Sequence, residues 1–337
     1  MSRLKDGFQR AIDYMRISIT DRCNLRCIYC MPSEGIKPIE HKEILSYEEI
    51  IRILKIAVNI GVKKIRITGG EPLMRRNVTH LIALIKNITG IKDISLTTNG
   101  VLLEQHAEEL TKAGLSRVNV SLDSFNPDRY REITRGGDID FVLKGIKAAE
   151  RAGLVPIKIN MVPIRGINDD EIAEFAKITL KAPYQVRFIE FMPFGVKGIK
   201  WPEKYISVDE IKSIVEGIGH LTPVKMRKSG PARYFRFDGA IGVIGFISPL
   251  SNHFCGECNR LRLTADGKLR PCLFSETEID LKPALRGGAP DDEIERLIKL
   301  SIEVKPEGHN IRIQNAQLRR LFSDKEDHRR PMSKIGG

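Results

Sequence analysis

The chain has 337 residues, 42% of them hydrophobic, which suits one large α/β domain or one such domain with a smaller module. The longest apolar stretches are too short to cross a membrane, and no charged-then-apolar leader with a cleavage site opens the sequence, so we expect a cytoplasmic protein without a membrane partner. The 55 basic and 43 acidic residues leave a net charge of +12, which favours anionic partners, although a solvated charge-rich surface would also account for it.

Strand-like and helical segments alternate from residue 14 to about residue 217. The predicted strands cover residues 15–20, 63–68, 94–98, 117–122, 156–162 and 185–192. The predicted helices lie near residues 46–60, 78–88, 105–113, 140–152 and 171–180, and Ser46 with Glu49 forms a capping box at the first of them. Six β-then-α units imply a parallel sheet with right-handed crossovers.

A polar stripe runs along five of the six predicted strands. Its members are Tyr14, Arg16, Ser18 and Thr20; Lys64, Arg66 and Thr68; Ser95, Thr97 and Asn99; Asn119, Ser121 and Asp123; and Lys158 and Asn160. Parallel strands covered on both faces usually read as apolar runs, and a closed (β/α)8 barrel fills its interior with branched apolar side chains. The stripe therefore favours an α/β fold of the incomplete, TIM-like (β/α)6 barrel type whose cavity holds polar substrates. The alternative is a sheet with one solvent-exposed face.

Three closely spaced thiols follow the first predicted strand. They are Cys23, Cys27 and Cys30, in the spacing C-x3-C-x2-C. A loop of this kind can curl so that its thiolates hold three irons of a four-iron cluster, whereas zinc takes four ligands, typically as pairs. Incidental thiols or half of a zinc site are the alternatives. The spacing, its position and Tyr29 resemble the cluster motif of the radical S-adenosylmethionine (SAM) superfamily, which implies catalytic cysteines, a [4Fe-4S] cluster whose open iron chelates SAM, and a contact from Tyr29 to SAM.

The segment Gly69-Gly70-Glu71-Pro72 follows the second predicted strand. Glycines at a strand end let the backbone approach a ligand, but Gly-Gly before Pro is also an ordinary turn. The segment resembles the GGEP motif of the same superfamily, which implies that Gly70 and Glu71 recognise the amino group of SAM. Ser121 and Met192 match positions that contact SAM in that superfamily. Without the resemblance, Ser121 would be a polar strand residue and Met192 a core residue.

A second cysteine set has the spacing C-x2-C-x13-C. It comprises Cys255, Cys258 and Cys272. A hairpin predicted between them would return the third cysteine to the first two, and with His253 the set could form a Cys3His zinc ribbon. The alternative is a second four-iron cluster with one open iron. Arg260 and Arg262 favour the cluster, because they share one face of the strand and would point anion-binding forks toward the metal.

The order and spacing of these motifs resemble the GTP 3′,8-cyclases of molybdenum cofactor biosynthesis. The matching stretches are residues 16–32, 64–72, 97–100, 120–123, 158–160, 191–193, 255–262, 272 and 336–337. The resemblance implies that SAM cleavage gives a 5′-deoxyadenosyl radical, which abstracts hydrogen from ribose C3′ of GTP. Closure of the C3′–C8 bond then gives (8S)-3′,8-cyclo-7,8-dihydroguanosine 5′-triphosphate, while a second [4Fe-4S] cluster holds the purine. The implied GTP contacts are Arg16, Arg66, Thr97, Lys158, Arg260, Leu261 and Arg262, of which Arg262 is also catalytic.

We expect a barrel core over residues 1–220 and a second-cluster region over residues 221–337 that closes the barrel and ends in a mobile Gly-Gly tail. The resemblance implies a flavodoxin- or ferredoxin-type electron donor, and a cyclic pyranopterin monophosphate synthase that receives the product. It implies no nucleic acid partner and a monomer or homodimer. Two alternatives stay open: a radical SAM enzyme that modifies a peptide with the help of an auxiliary cluster, and a zinc-ribbon protein that binds nucleic acid through its basic surface.

Overall fold

The computed structural model describes residues 4–194, 201–226, 230–309 and 332–335, so the predicted Gly-Gly tail lies outside the described residues. The strands are β1 (Tyr14–Ser18), β2 (Lys64–Thr68), β3 (Asp93–Thr98), β4 (Arg117–Ser121), β5 (Lys158–Met161), β6 (Gln185–Ile189), β7 (Leu221–Val224), β8 (Arg233–Phe237), β9 (Val243–Ile247), β10 (Arg260–Leu263), β11 (Lys268–Arg270) and β12 (Ile279–Asp280). The helices are α1 (Tyr47–Asn59), α2 (Val78–Lys86), α3 (Leu103–Lys112), α4 (Pro127–Thr134), α5 (Ile139–Arg151), α6 (Ile172–Lys181), α7 (Trp201–Lys204), α8 (Val208–Glu216), α9 (Lys282–Arg286), α10 (Asp291–Glu303) and α11 (Met332–Ile335).

All of these strands belong to one sheet. Their order is β12-β11-β10-β1-β2-β3-β4-β5-β6-β9-β8-β7. Each strand from β10 through β1 to β6 and on to β9 is parallel to its neighbour. The prediction of an α/β fold on six consecutive parallel strands is confirmed, and β9 and β10 extend the parallel part by one strand on each side. Within the described ranges, β7 and β12 form the two edges and do not pair with each other.

The hydrophobic core lies between the sheet and the helices on its outer face. Helix α1 illustrates why: Ile50, Ile53, Leu54 and Ala57 recur at helical spacing on one stripe and are each 1% exposed or less. The predicted capping box of α1 is present, with the side chain of Ser46 accepting from the third residue of the helix. The apolar alternation of the strands supplies the other half of this core, which leaves their polar stripe on the inner face.

Helix α4 was not among the predicted helices. Asn126 caps it by accepting a hydrogen bond from Arg129 N (3.0 Å), and Pro127 occupies its first turn. The dipeptide Asn126-Pro127 was thus a usable start signal for this helix. The consequence for the site is that α4 packs beside the loop of the first three cysteines.

The described strands beyond residue 220 belong to the same sheet as the earlier strands. Beyond residue 220, β7 to β9 extend the sheet from β6, and β10 to β12 extend it from β1. The predicted boundary at residue 220 therefore falls within a continuous sheet, and the C-terminal strands lie on both sides of the six-strand core. No helix in the described part of the chain is long and apolar enough to span a bilayer.

Candidate active site

The loop after β1 carries the first thiol triad. This triad comprises Cys23, Cys27 and Cys30. Arg26 N donates to Thr134 O over 3.0 Å, so the loop is attached to the end of α4. A second bond runs from Ile28 N to Ile133 O, over 2.9 Å. All three thiols are half-buried and line a cavity of about 890 Å³, part of it open to solvent. We call it the first cavity.

The Gly-Gly segment packs directly against the backbone of this loop. Gly70 N donates to Thr20 O over 2.7 Å. A Cβ at Gly70 would lie 2.3 Å from Arg22 O, so only glycine allows this approach. Gly70 lines the first cavity, as the sequence predicts for a residue whose backbone faces a ligand.

The structure gives Glu71 an internal role. Its carboxylate is 1% exposed and accepts hydrogen bonds from Leu73 N (3.0 Å) and Thr98 Oγ1 (2.8 Å) through Oε1. Asn99 N donates to Oε2 over 2.7 Å. Burial raises the pKa of Glu71 to about 7, although the three hydrogen bonds act in the opposite direction and lower this pKa. Glu71 therefore ties the Gly-Gly segment to the end of β3, and its predicted contact with SAM stays a prediction.

Tyr29 and Asp123 lie where two cavities meet. The Tyr29 hydroxyl donates to Asp123 Oδ2 over 2.5 Å, and Val162 N donates to Asp123 Oδ1 over 2.9 Å. Burial raises the pKa of Asp123 to about 6 although both donors lower it. Tyr29, Ser121 and Met192 each line both the first cavity and a larger one of about 1400 Å³, which we call the second cavity. The two cavities are thus continuous.

Three arginines lie side by side on the inner face of the sheet. The register of the parallel strands pairs Arg262 with Arg16 and Arg16 with Arg66, so the three occupy one row across β10, β1 and β2. All three line the second cavity. Burial, followed by the charges of Arg262 and Arg66, lowers the pKa of Arg16. Burial, followed by Arg260, lowers the pKa of Arg262 to about 9.

The second cavity is strongly cationic. Its basic lining residues are Arg16, Arg66, Arg187, Arg260, Arg262 and Lys305. Asp123 is the single carboxylate among its lining residues in the described part of the chain. Neighbouring strands lie about 4.8 Å apart, and two unit charges about 5 Å apart repel by about 3 kcal/mol at an effective dielectric constant of about 20. A row of cations is therefore costly unless a polyanion binds there.

The second thiol triad flanks the hairpin of β10 and β11, with two thiols before β10 and one after β11. This triad comprises Cys255, Cys258 and Cys272. The predicted hairpin is present, with Arg262 opposite Arg270, and all three thiols line the second cavity. Burial raises the pKa of Cys258, but the nearby positive charges of Arg260 and Lys305 outweigh it and bring that pKa to about 6. The surroundings of Cys258 thus favour its thiolate, the form that binds metal, whereas burial raises the pKa of Cys255.

Both thiol triads fit iron–sulfur clusters better than single metal ions. Within the described ranges, no three His, Cys, Asp or Glu side chains are gathered closely enough to hold one metal ion. A four-iron cluster takes one thiolate per iron and so accepts more widely spaced sulfurs that face a common cavity. His253 lines the second cavity beside the second triad, but it does not complete a gathered single-ion site.

Three predicted substrate residues lie in different surroundings. Thr97 lines both cavities. Lys158 is half-buried at the start of β5, on the same face as Asn160, but outside the lining of either cavity. Leu261 is 0% exposed and belongs to the hydrophobic core, because it alternates with Arg260 and Arg262 and points to the opposite face. A contact between its side chain and a ligand in the cavity is therefore ruled out, and only its backbone could take part.

Sequence reasoning missed two polar residues of this site. Arg187 on β6 is 4% exposed, lines the second cavity and donates to Asn119 Oδ1 over 2.7 Å. Glu190, directly after β6, is 0% exposed and lines the first cavity. Tyr205 Oη and Leu250 N donate to its carboxylate, each over 2.9 Å. Arg187 is the sole basic residue of a mainly apolar strand, so no alternating pattern of polar residues indicated that it faces the cavity.

Comparison with known families covers nearly the whole chain. The family described as the radical SAM superfamily matches residues 17–178, and the family described as Molybdenum Cofactor Synthesis C matches residues 184–311. A GTP 3′,8-cyclase of Thermodesulfovibrio yellowstonii is 55% identical, covering 99% of this chain and 100% of the relative. A GTP 3′,8-cyclase of Alkaliphilus oremlandii is 50% identical, with coverage of 99% and 100%.

Among solved structures, SuiB of Streptococcus suis bound to S-adenosylmethionine is similar in fold. The TM-score is 0.61 at 16% sequence identity, covering 85% of this chain and 67% of that chain. SuiB bound to its precursor peptide SuiA gives a TM-score of 0.60 at 16% identity, covering 87% of this chain and 68% of that chain. At these identities the likeness concerns the fold alone.

Proposed function

The chain belongs to the GTP 3′,8-cyclase family of radical SAM enzymes, and from that membership we propose how its residues divide the work of the reaction. The enzyme converts GTP to (8S)-3′,8-cyclo-7,8-dihydroguanosine 5′-triphosphate in molybdenum cofactor biosynthesis. It binds SAM and two [4Fe-4S] clusters. The observation that supports the division most strongly is that two thiol triads line one continuous cavity with a row of arginines between them.

The first thiol triad holds the cluster that binds SAM. When bound, that cluster supplies the electron that cleaves SAM and starts the radical reaction. Around it, the backbone at Gly70 receives the methionine end of SAM, while Ser121 and Met192 line the passage to the second cavity. Tyr29 takes its orientation from Asp123 and stands at the junction, where it separates the cofactor from the substrate.

The second cavity holds GTP. Arg16, Arg66 and Arg262 match a triphosphate in charge and spacing, since guanidinium forks bind phosphate oxygens bidentately. Arg187 adds a further buried cation to the same cavity. Bound phosphate relieves the repulsion within the row, so part of the cost of burying these cations is recovered only when substrate binds. The second thiol triad, at the other side of the row, carries the cluster that holds the purine.

This arrangement positions ribose C3′ between the two triads. Fixing a reactive centre next to its target atom is the main contribution that a protein makes to a reaction of this kind. Residues of β9 and β10 line the second cavity and so surround the substrate on the side away from the first triad. The proposed SAM site in the first cavity and the proposed GTP site in the second cavity meet at Tyr29, Thr97 and Ser121, which line both cavities.

Electron transfer to the first cluster requires a partner, and we propose an acidic carrier of the flavodoxin or ferredoxin type. Two exposed arginines lie next to the loop of the first thiol triad. Arg22 directly precedes Cys23, and Arg135 donates to Met31 O, just after Cys30, over 2.8 Å. Arg22→Glu is expected to slow reduction by the carrier protein and to leave reduction by dithionite unchanged. Equal slowing with both reductants would contradict a docking role.

The remaining assignments are also proposals. We place the enzyme in the cytoplasm, as a monomer or homodimer, with a cyclic pyranopterin monophosphate synthase receiving its product. We retain residues 1–220 as the catalytic core and residues 221–337 as the second-cluster region, on the understanding that both share one sheet. The fold likeness to a peptide-bound enzyme supports no substrate assignment, so a peptide substrate is not proposed.

The test uses anaerobically reconstituted enzyme and GTP deuterated at C3′. We expect about four irons for each cluster, and deuterium in the 5′-deoxyadenosine that forms. Serine in place of Cys255, Cys258 and Cys272 should remove about half of the iron and abolish cyclisation, while SAM cleavage persists. Serine at all three positions of the first thiol triad should abolish both activities. In the wild-type enzyme, SAM cleavage that does not depend on GTP, or 5′-deoxyadenosine without deuterium, would contradict the proposed function.

A further inference from the structure

Lys305 is a buried lysine directly beside the second thiol triad. It follows α10 and is 3% exposed. Its ammonium donates to Arg260 O over 2.9 Å and to Pro271 O over 2.6 Å. Arg260 follows Cys258 by two residues and Pro271 immediately precedes Cys272, so this ammonium bridges the two chain segments that carry two of the three thiols.

Among the described residues, no carboxylate pairs with the ammonium of Lys305. Its two hydrogen bonds go to neutral carbonyls, and within the described residues it forms no ion pair. Burying an ammonium costs free energy unless an opposite charge lies nearby. The negative charges that would act most strongly on Lys305 are those of the Cys258 and Cys272 thiols, while Arg260 adds positive charge to the same region.

Arg10, a second buried cation near the same triad, differs from Lys305 because a carboxylate pairs with it. Its guanidinium pairs with the buried Asp6 carboxylate over 2.6 Å. The same guanidinium donates to Cys255 O over 2.8 Å, and to Glu307 O over 2.7 Å. Arg10 therefore clamps the triad's loop to the segment after α10 without adding net charge. Lys305 holds neighbouring carbonyls in a similar way but leaves its charge unbalanced.

We propose that Lys305 is the countercharge of the second cluster. The inference rests on the proposed function, in which Cys255, Cys258 and Cys272 hold that cluster. Three thiolates make a bound cluster anionic, and net charge and hydrogen bonding around a cluster set its reduction potential. A fixed positive charge favours the more negative, reduced state, so Lys305 raises the potential of the second cluster. It is a positioning and tuning residue, since its hydrogen bonds go to the backbone of the ligand-bearing segments.

The experiment isolates the second cluster and measures its potential. Full-length protein with serine at Cys23, Cys27 and Cys30 retains only that cluster, which is titrated anaerobically and followed by electron paramagnetic resonance. In this parent, Lys305→Met should lower the ratio of reduced to oxidised cluster at a fixed potential by about tenfold or more. That ratio corresponds to a shift of about 59 mV for one electron. Lys305→Arg keeps the charge and should stay close to the parent.

Lys299→Met is the matched control. Lys299 lies on α10, pairs with Glu295 over 2.6 Å, and has a side chain that is 46% exposed. The same chemical change at this position should leave the potential of the cluster unchanged.

The outcomes separate the possibilities. An unchanged potential in Lys305→Met overturns the countercharge role, and would be expected if Lys305 only contacted substrate. Loss of iron from Lys305→Met but not from Lys305→Arg supports the role, because charge is then needed to retain the cluster. Loss from both variants overturns it, since geometry would then matter and charge would not. A parent without iron overturns the cluster assignment itself, which distinguishes failure of the proposed function from failure of this inference.

Discussion

Replacing Lys158 by methionine should stabilise the substrate-free protein and weaken its binding of GTP. Burial is the main cause that lowers the pKa of Lys158 from its ordinary 10.5 to about 6, and the charges of Arg187, Arg117 and Arg66 lower it further. At pH 7 the folded protein therefore releases a proton that the unfolded chain keeps. Methionine has a similar length and carries no charge, so it removes this cost.

The pH fixes the size and sign of the effect. The unfolded chain binds the extra proton between about pH 6 and pH 10.5, so in this window the wild-type protein gains stability as the pH rises. At 1.36 kcal/mol per pH unit, the cost is at most about 5 kcal/mol at pH 7 and about 2 kcal/mol at pH 9. Because Lys158 is only half-buried, solvent screening reduces these values, and we expect about 2 and about 1 kcal/mol.

The assay is urea unfolding of the anaerobic, cluster-loaded protein at pH 7 and pH 9, followed by circular dichroism. Lys147→Met, a change of an exposed lysine on α5, is the control and should have little effect at either pH. A lower stability of Lys158→Met at pH 7, or a stabilisation that grows with pH, would refute the reasoning.

Binding of GTP should move in the opposite direction. If the triphosphate reaches Lys158, it restores the charged form, so the wild-type enzyme takes up close to one proton at pH 7.5, measurable by calorimetry in buffers of different ionisation enthalpy. Lys158→Met should lose this uptake and bind GTP at least about tenfold more weakly, which is the effect of a lost hydrogen bond to a charged group. Unaltered affinity would place Lys158 outside the substrate site.

Three further changes test other parts of the site. Arg262→Ala should abolish conversion of GTP while SAM is still cleaved unproductively, as measured by the yields of cyclised product and 5′-deoxyadenosine. Unchanged turnover of GTP would show that Arg262 does not contact the substrate. Gly70→Ala should abolish SAM binding in equilibrium dialysis, because its Cβ would meet backbone 2.3 Å away, whereas Gly7→Ala, with nothing within 4 Å, should bind normally. Glu190→Gln should lower the free energy of unfolding by about 1–3 kcal/mol, because the amide nitrogen of glutamine would face backbone N–H donors that now bind the carboxylate. The control Glu303→Gln, at an exposed position, should change the free energy of unfolding little. Equal stability of the two variants would contradict a stabilising role of the Glu190 carboxylate.

Local patterns predicted that the first thiol triad and the polar faces of the strands lie beside a cavity. The thiol spacing and the alternating polar residues are properties of short segments, and a strand that places Arg16 on one face must place Ile17 on the other. The same alternation could have shown that Leu261, between two cavity arginines, belongs to the core. Its predicted contact with GTP stays a prediction, and it concerns the backbone of Leu261.

Longer-range features could not be predicted in this way. No local pattern states that β10 pairs with β1 or that β9 pairs with β6, because strand pairing depends on the whole sheet. Lys305 lies in a helix–loop segment whose partners were not assigned, and only the fold brings it to Cys258. Arg187 was missed for a related reason, since a single polar residue in an apolar strand has no periodicity to reveal it.

The pairing of β10 with β1 has a consequence for how this enzyme is made. Strand β1 is synthesised well before β10, so the partner strand on one side of β1 appears only after the intervening chain has been made. Until then β1 presents an open edge, and such edges invite pairing with other chains. The second thiol triad flanks β10 and β11, so it is synthesised at the same stage at which the open edge of β1 gains its partner.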